Sequence, residues 1–183
     1  MVNRLFAFIV LLILSPVFLS VAVSVFIEDG SPIFFKQKRV GINYTFFNIY
    51  KFRSMKKNAP NVATHLLENP SSYLLRIGGV LRKLSLDELP NLINIIKGEM
   101  VFVGPRPALY NQDDLMALRV AAGVDKLKPG ITGWAQINGR DEISIEAKVT
   151  LEKEYLERRS VWFDVVIVMK TFTSVLRSKG VAH

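Results

Sequence analysis

Ser85-Leu86-Asp87-Glu88-Leu89-Pro90 is followed closely by Gly98-Glu99-Met100 and then by Gly104-Pro105-Arg106-Pro107. Two adjacent carboxylates stand next to a helix start, with an arginine clamped between prolines a short way on. Phosphate chemistry with a divalent metal needs this pairing: carboxylate to hold the metal or attack phosphorus, guanidinium to hold the oxyanion. Ser-x-x-Glu is also a capping box, a purely structural helix start. With Ser85 as N-cap, Pro90 would fall at the fifth helical position, where it deletes a backbone hydrogen bond and clashes with the previous turn. Pro90 fits better as the first residue of a helix over residues 90–96. Asp87 and Glu88 then sit just outside a helix N-terminus, a location that phosphate anions favour. Spacing alone leaves site and cap both open.

Downstream, Leu92, Ile93, Ile95 and Ile96 give that helix an apolar face, and Gly98 ends it. Residues 100–103 read as a short apolar strand. In Pro105-Arg106-Pro107 each proline fixes its own φ and holds the preceding residue extended, so Arg106 rides on a stiff support. Residues 111–124 form a short amphipathic helix. Pro129-Gly130 marks a turn. Residues 132–137 read as a strand, and Asn138-Gly139 as a tight hairpin turn with Arg140 at its tip. Residues 144–159 make a charged helix. Residues 161–176 make a broad apolar one that suits either a core or a membrane interface.

Upstream, Leu74, Leu75, Ile77, Val80 and Leu81 give residues 73–82 apolar periodicity. Gly78-Gly79 weakens a helix there and implies close packing or a bend. Residues 58–72 read as loop, with His65 a surface residue. Residues 33–52 read as strand, turn, strand. Lysines interleaved with aromatics there also suit nucleic acid, but a sheet with one face on apolar surface is the simpler reading, and no nucleic-acid partner is expected.

Residues 5–27 carry no charge. As a straight helix they would reach about 35 Å, enough to cross a core of about 30 Å. The run is too long for a signal peptide and lacks a small-residue cleavage site, so a membrane anchor is expected. Ser15-Pro16 interrupts it. Proline breaks the hydrogen-bond ladder there, and Ser15 can satisfy a freed backbone group. A kinked spanning helix and a bent helix that leaves by the face it entered both remain. Lys36, Lys38, Arg39, Lys51, Arg53, Lys56 and Lys57 follow the run and only Arg4 precedes it, which places the globular part in the cytoplasm.

The chain has 183 residues, no cysteine, a net charge of +8 and 50% hydrophobic residues. Disulfides, thiolate metal sites and cysteine nucleophiles are excluded. The positive charge calls for an anionic partner.

These residues together resemble a family. Phe35-x-Gln37-x-Arg39-Val40-Gly41, Tyr50-Lys51-Phe52-Arg53-Ser54-Met55, Arg76-Ile77-Gly78, Leu81-Arg82, the Asp87-Glu88 stretch, Gly98-Glu99-Met100, Gly104-Pro105-Arg106-Pro107, Pro129-Gly130-Ile131-Thr132-Gly133 and Gln136-x-Asn138-Gly139-Arg140 follow in this order. The set resembles the bacterial sugar transferases, the monotopic polyprenyl-phosphate phosphoglycosyl transferases of small, core-only type. The resemblance implies transfer of a phosphosugar from a UDP-sugar to undecaprenyl phosphate, with UMP released. It implies Asp87 as nucleophile, Glu88 as its partner, and Mg²⁺ at the pair. Arg106 would bind phosphate, Lys51 and Arg82 would be further active-site cations, and Gln136, Asn138 and Arg140 would lie on the donor side.

The resemblance also implies an α+β fold. A re-entrant anchor helix, residues 1–29, is broken at Ser-Pro. Residues 30–183 form a cytoplasmic catalytic domain with short β-hairpins and amphipathic interfacial helices. The expected location is the cytoplasmic face of the bacterial inner membrane, against the lipid bilayer. Two positions depart from the family pattern: Ala7 replaces a common aspartate and Lys38 a common acid. Ala7 bears on how the anchor's start is held. The rival readings are a membrane-anchored nucleic-acid-binding module and a noncatalytic scaffold.

Overall fold

β1 (Phe34–Val40) and β2 (Phe46–Phe52) pair antiparallel, from Phe34↔Phe52 to Val40↔Phe46. The chain turns between them at Ile42–Tyr44, where Asn43 and Tyr44 take positive φ. The computed structural model describes residues 1–60, 69–139 and 143–176. Aromatic and β-branched residues make this hairpin, and each end packs on a different helix layer. Ile49 and Phe47 lie on Leu92 and Ile95, whereas Phe52 lies among Val21, Val25, Leu75 and Leu81. Lys36 and Lys38 sit over the ring faces of Tyr50 and Phe46, at 5.5 and 4.1 Å. Those cations thus cover the sheet's own aromatic rings.

The uncharged run folds as two helices, α1 (Val2–Ile13) and α2 (Ser15–Asp29), bent by 66°. Pro16 stands in the first turn of α2, where its missing N–H costs nothing. Ser15 Oγ donates to the Leu12 carbonyl at 2.7 Å, as expected for a serine beside a broken ladder. Among the described residues no single helix is long and apolar enough to cross a membrane; the bent pair reaches that length and composition only when its two helices are taken together.

Both helices also pack on the remainder of the chain. Ala7 is fully buried against Leu92, Ile95 and Met100. Its small side chain lets α1 lie close to the helix α4 (Asn91–Lys97). The Arg4 guanidinium stands where a Cβ at Gly98 would be, and Gly98 has φ +85°. The start of α1 is therefore held by packing and by Arg4. At the other end, Glu28 accepts from the Arg76 and Ile77 amides at 2.5 and 3.3 Å. Arg53 Nη2 donates to the Asp29 and Gly30 carbonyls.

α3 (Gly78–Lys83) is shorter than the periodicity from residue 73 implies. Residues 70–73 make a separate 3₁₀ turn, and Leu74 bridges to Met55 instead. The expected close packing at Gly78 is present: a Cβ there would lie 2.1 Å from the Ser54 carbonyl oxygen.

β3 (Val101–Val103) pairs in parallel with β4 (Gly130–Thr132). This corrects the second hairpin. The strand ends at Thr132 instead of running on to residue 137, and Asn138-Gly139 does not turn it back. The chain leaves β4 at Gly133, whose Cβ would fall 2.1 Å from the Gly104 carbonyl oxygen, and enters the short helix α6 (Trp134–Ile137). Trp134 and Ile137 are drawn into a core with Tyr155 and Phe163, which outweighs their strand-like alternation. The Asn138 amide donates to the Trp134 carbonyl at 2.8 Å and closes that helix.

Three further helices complete the α+β fold: α5 (Asp113–Ala121), α7 (Ile145–Arg158) and α8 (Val161–Leu176). Ser144 caps α7 by accepting from the Ala147 amide. α8 carries one apolar face into the core and leaves another exposed. Phe163 and Ile167 are buried, while Trp162, Val165, Met169 and Phe172 are exposed.

Candidate active site

Asp87 and Glu88 lie in a single 3₁₀ turn, Leu86–Glu88, between α3 and α4. Ser85 enters it in the left-handed region, φ 54° and ψ 23°, and makes no side-chain cap. The capping box is therefore not formed. The residue that caps α4 is Pro90, with helical φ −63° and ψ −13°, one position before the helix that was expected to start on it.

The Glu88 carboxylate is engaged from two elements. Lys51, near the end of β2, places Nζ 2.6 Å from Glu88 Oε1. Arg106 Nη1 approaches the same oxygen at 3.9 Å. On α3, Arg82 donates from Nε to Ser54 Oγ at 2.9 Å and faces Asp87 electrostatically. Burial lowers the Arg82 pKa, against the opposing pull of Asp87. Burial pushes the Asp87 carboxyl up to about 6, and Glu88 adds to the rise, while Lys51 and Arg82 oppose it. Asp87, Glu88, Lys51, Arg82 and Arg106 thus meet around one turn, although 55 residue numbers separate Lys51 from Arg106.

The raised pKa has a thermodynamic consequence. Ionising Asp87 costs stability above pH 6, and the cost vanishes below the unfolded value of about 4. In metal-free buffer Asp87→Asn is therefore expected to stabilise the protein at pH 8 by about 1–3 kcal/mol. The gain should fade as pH drops through 6 towards 4. Thermal unfolding in detergent with chelator, at several pH values, checks this; an unchanged or lower Tm at pH 8 contradicts it.

Arg106 is supported through the carbonyls of its own segment, since the flanking prolines have no N–H. The Gly130 amide donates to the Pro105 carbonyl at 2.9 Å. Arg119 Nη2 donates to the Arg106 carbonyl at 2.9 Å. Arg39 Nη1 donates to the Pro107 carbonyl at 3.0 Å. Arg119 in turn makes a two-toothed pair with Glu152: Nε to Oε2 at 2.8 Å and Nη2 to Oε1 at 2.5 Å.

Arg119 and Glu152 were not among the residues expected at the site. The available signal was an arginine four residues after Leu115, on the apolar stripe of α5. Its partner, 33 residues later, carries no such mark.

Beside Arg106 lies a solvent-open cleft lined by Gly104, Pro105, Gly133, Trp134, Gln136, Lys148, Glu152 and Tyr155. Gln136 donates from Nε2 to the Ile131 carbonyl, and its buried Oε1 has no hydrogen-bond partner among the described residues. Gln136 thus lines the same cleft as Arg106. Asn138 is exposed and its amide nitrogen is spent on α6. Arg140 lies outside the described residues. Glu99, from the Gly-Glu-Met motif, receives the Asn94 amide at 2.7 Å; Asn94 also binds Asn48 and Tyr50 backbone, so this motif braces the hairpin that carries Lys51.

A carboxylate pair ringed by three cations, beside an arginine on a braced loop, is the arrangement of a phosphate-transferring enzyme. The bacterial sugar transferase family profile matches residues 1–178, and the chain belongs to that family: it is a sugar transferase. It is 40% identical over 192 residues to the exopolysaccharide production protein ExoY of Sinorhizobium fredii, covering 96% of this chain and 84% of that one. It is 39% identical over 173 residues to the UDP-glucose:undecaprenyl-phosphate glucose-1-phosphate transferase of Escherichia coli, covering 90% of this chain and 37% of that one. It is 35% identical over 171 residues to the UDP-N-acetylgalactosamine-undecaprenyl-phosphate N-acetylgalactosaminephosphotransferase of Aeromonas hydrophila, covering 91% and 40%.

Proposed function

We propose that this protein transfers a phosphosugar from a UDP-sugar to undecaprenyl phosphate in two steps through Asp87, as the first membrane step of a bacterial glycoconjugate pathway. The observation that carries this reading is the half-buried Asp87 beside Glu88, Lys51 and Arg82. Relatives named for the same transfer support it. In the first step an Asp87 oxygen attacks the phosphorus that bears the sugar; the bond to the uridine-side oxygen breaks and UMP leaves. In the second, a phosphate oxygen of the lipid attacks the same phosphorus and the aspartate is released. Splitting the transfer lets one positioned group serve two substrates that arrive from different phases.

With a pKa of about 6, Asp87 is mostly ionised at neutral pH yet poorly solvated, which favours attack. Lys51 holds Glu88 in place beside it. Arg106 is placed to grip a phosphate oxygen, and Arg82 offsets charge from the α3 side. Gln136 offers its unpaired oxygen to a donor group on the nucleotide sugar.

Asp87 and Glu88 fit Mg²⁺, which takes one or two carboxylates and leaves its remaining positions to phosphate oxygens and water. The buried charge of Asp87 is one that a cation would offset. When bound, the ion supplies charge neutralisation on the diphosphate.

The bent pair α1–α2 and the exposed apolar stripe of α8 suit a chain seated in one leaflet at the cytoplasmic face, with residues 1–29 as a re-entrant anchor and residues 30–183 as the catalytic domain. Cysteines introduced at Val2 and Ser31 are then both expected to resist a membrane-impermeant thiol reagent in intact spheroplasts. Labelling of the Val2 variant alone contradicts re-entrance. Pro16→Ala should move part of the population to the spanning form, because a straight helix of this length crosses.

The function itself is tested with purified protein, undecaprenyl phosphate, Mg²⁺ and a panel of UDP-sugars. Sustained UMP release, beyond one turnover per active site, that depends on one donor and on the lipid is expected. No release with any donor contradicts the assignment.

A further inference from the structure

We propose that Arg119 is a positioning residue for Arg106, acting through the Arg106 carbonyl, and that Glu152 holds Arg119 in that role. This rests on the reading of Arg106 as the phosphate-binding cation.

The Arg106 side chain is 40% exposed and approaches Glu88 at 3.9 Å. That contact is too long to aim a guanidinium. Its direction must come from its backbone, in which neither flanking proline has an N–H and all three carbonyls of the segment accept hydrogen bonds. The carbonyls before and after are tied to β4 and β1. The carbonyl of Arg106 itself is tied by a side chain on α5.

The geometry of that side chain suits the task. Arg119 is 5% exposed and Glu152 is 2% exposed. The two-toothed pair with Glu152 fixes the plane of the Arg119 guanidinium. Nη2 carries two hydrogens: one goes to Glu152 Oε1 and the other to the Arg106 carbonyl. Stability alone gives a weak reason for such a pair, because apolar residues of similar volume commonly do as well in a buried setting. The pair also joins α7 to the site, since Glu152 and Arg106 line the same cleft.

The test is a double-mutant cycle on kcat and KM, with melting temperature in detergent as control. Arg119→Met/Glu152→Met removes both charges together and leaves no unpaired ion. It is expected to lower kcat about 10–50-fold with the KM for the UDP-sugar changed less than about 3-fold, at near-parental Tm. In the Arg106→Ala background the same pair of changes is expected to cost less than about 2-fold, because the residue it acts through is gone. Arg119→Lys keeps a charge for Glu152 but cannot fork and also reach the carbonyl. It should show the same pattern, and it carries the comparison if the double variant does not fold.

Equal fold-losses in the two backgrounds would overturn the positioning role while leaving the function intact. Parental kcat in the Arg119 variants would do the same. Parental kcat in Arg106→Ala alone would overturn the reading of Arg106, and this inference with it.

Discussion

Asp87→Asn is expected to lower turnover by at least about 10³-fold, because the amide keeps the shape of the carboxylate but not its attacking charge. The loss should appear in kcat and not in donor KM, since the group acts on phosphorus in the transition state. The variant should remain folded; removal of a half-buried charge is expected to raise Tm at pH 8, as argued from the elevated Asp87 pKa. Greater stability together with lost activity separates a chemical role from a structural one. Glu88→Gln should also be slow, for a different reason: it loosens the 2.6 Å hold of Lys51 and weakens a metal ligand. Its remaining activity should rise with Mg²⁺ concentration. Parental turnover by Asp87→Asn would mean direct attack by the lipid phosphate.

Arg106→Lys is expected to reduce kcat by about 10–10²-fold, in a protein whose Tm is unchanged. A guanidinium can bind two phosphate oxygens in a fork, and an ammonium cannot. Loss of one preorganised donor at a developing oxyanion carries effects of about this size or larger. The loop should survive the change, because its anchoring hydrogen bonds run through the carbonyls of Pro105, Arg106 and Pro107 and not through the side chain. Turnover equal to the parent would leave Arg106 a loop residue without a role in the chemistry.

The features legible in the sequence are those set by local rules. Ser15-Pro16 breaks the apolar run because proline lacks an N–H and its ring clashes with the preceding turn, and the two helices meet there at a 66° bend. Gly78 and Gly98 were legible as a close approach and a helix stop, and each holds a neighbour where a Cβ would clash. The Asp87-Glu88 pair read as either a site or a helix cap, and Arg106 as an arginine that a plain loop does not require. Their meeting with Lys51 and Arg82 was implied by the family resemblance, not by spacing.

What stayed hidden depended on distant partners. Residues 134–137 alternate like a strand, but β4 pairs in parallel with β3, so no return strand is required and the segment coils to bury Trp134 and Ile137. Periodicity from residue 73 suggested a longer helix, but Leu74 is taken by a bridge to Met55 and helix begins only at Gly78. Arg119 looked like one charge on an amphipathic helix. Its task became visible only when α7 brought Glu152 beneath it and the chain brought the Arg106 carbonyl within 2.9 Å.

The central claim is a covalent phosphosugar on Asp87, and one measurement addresses it directly. Purified enzyme is mixed with Mg²⁺ and its UDP-sugar without any polyprenyl phosphate, and UMP and intact protein mass are followed together. The account predicts a burst of at most about one UMP per active site. It predicts a mass gain equal to the phosphosugar, mapped to the peptide that carries Asp87, and discharge of that label when undecaprenyl phosphate is added. An enzyme that releases no UMP and gains no mass until the lipid is present, yet turns over normally with it, contradicts the two-step mechanism and reduces the carboxylate pair to holding a metal.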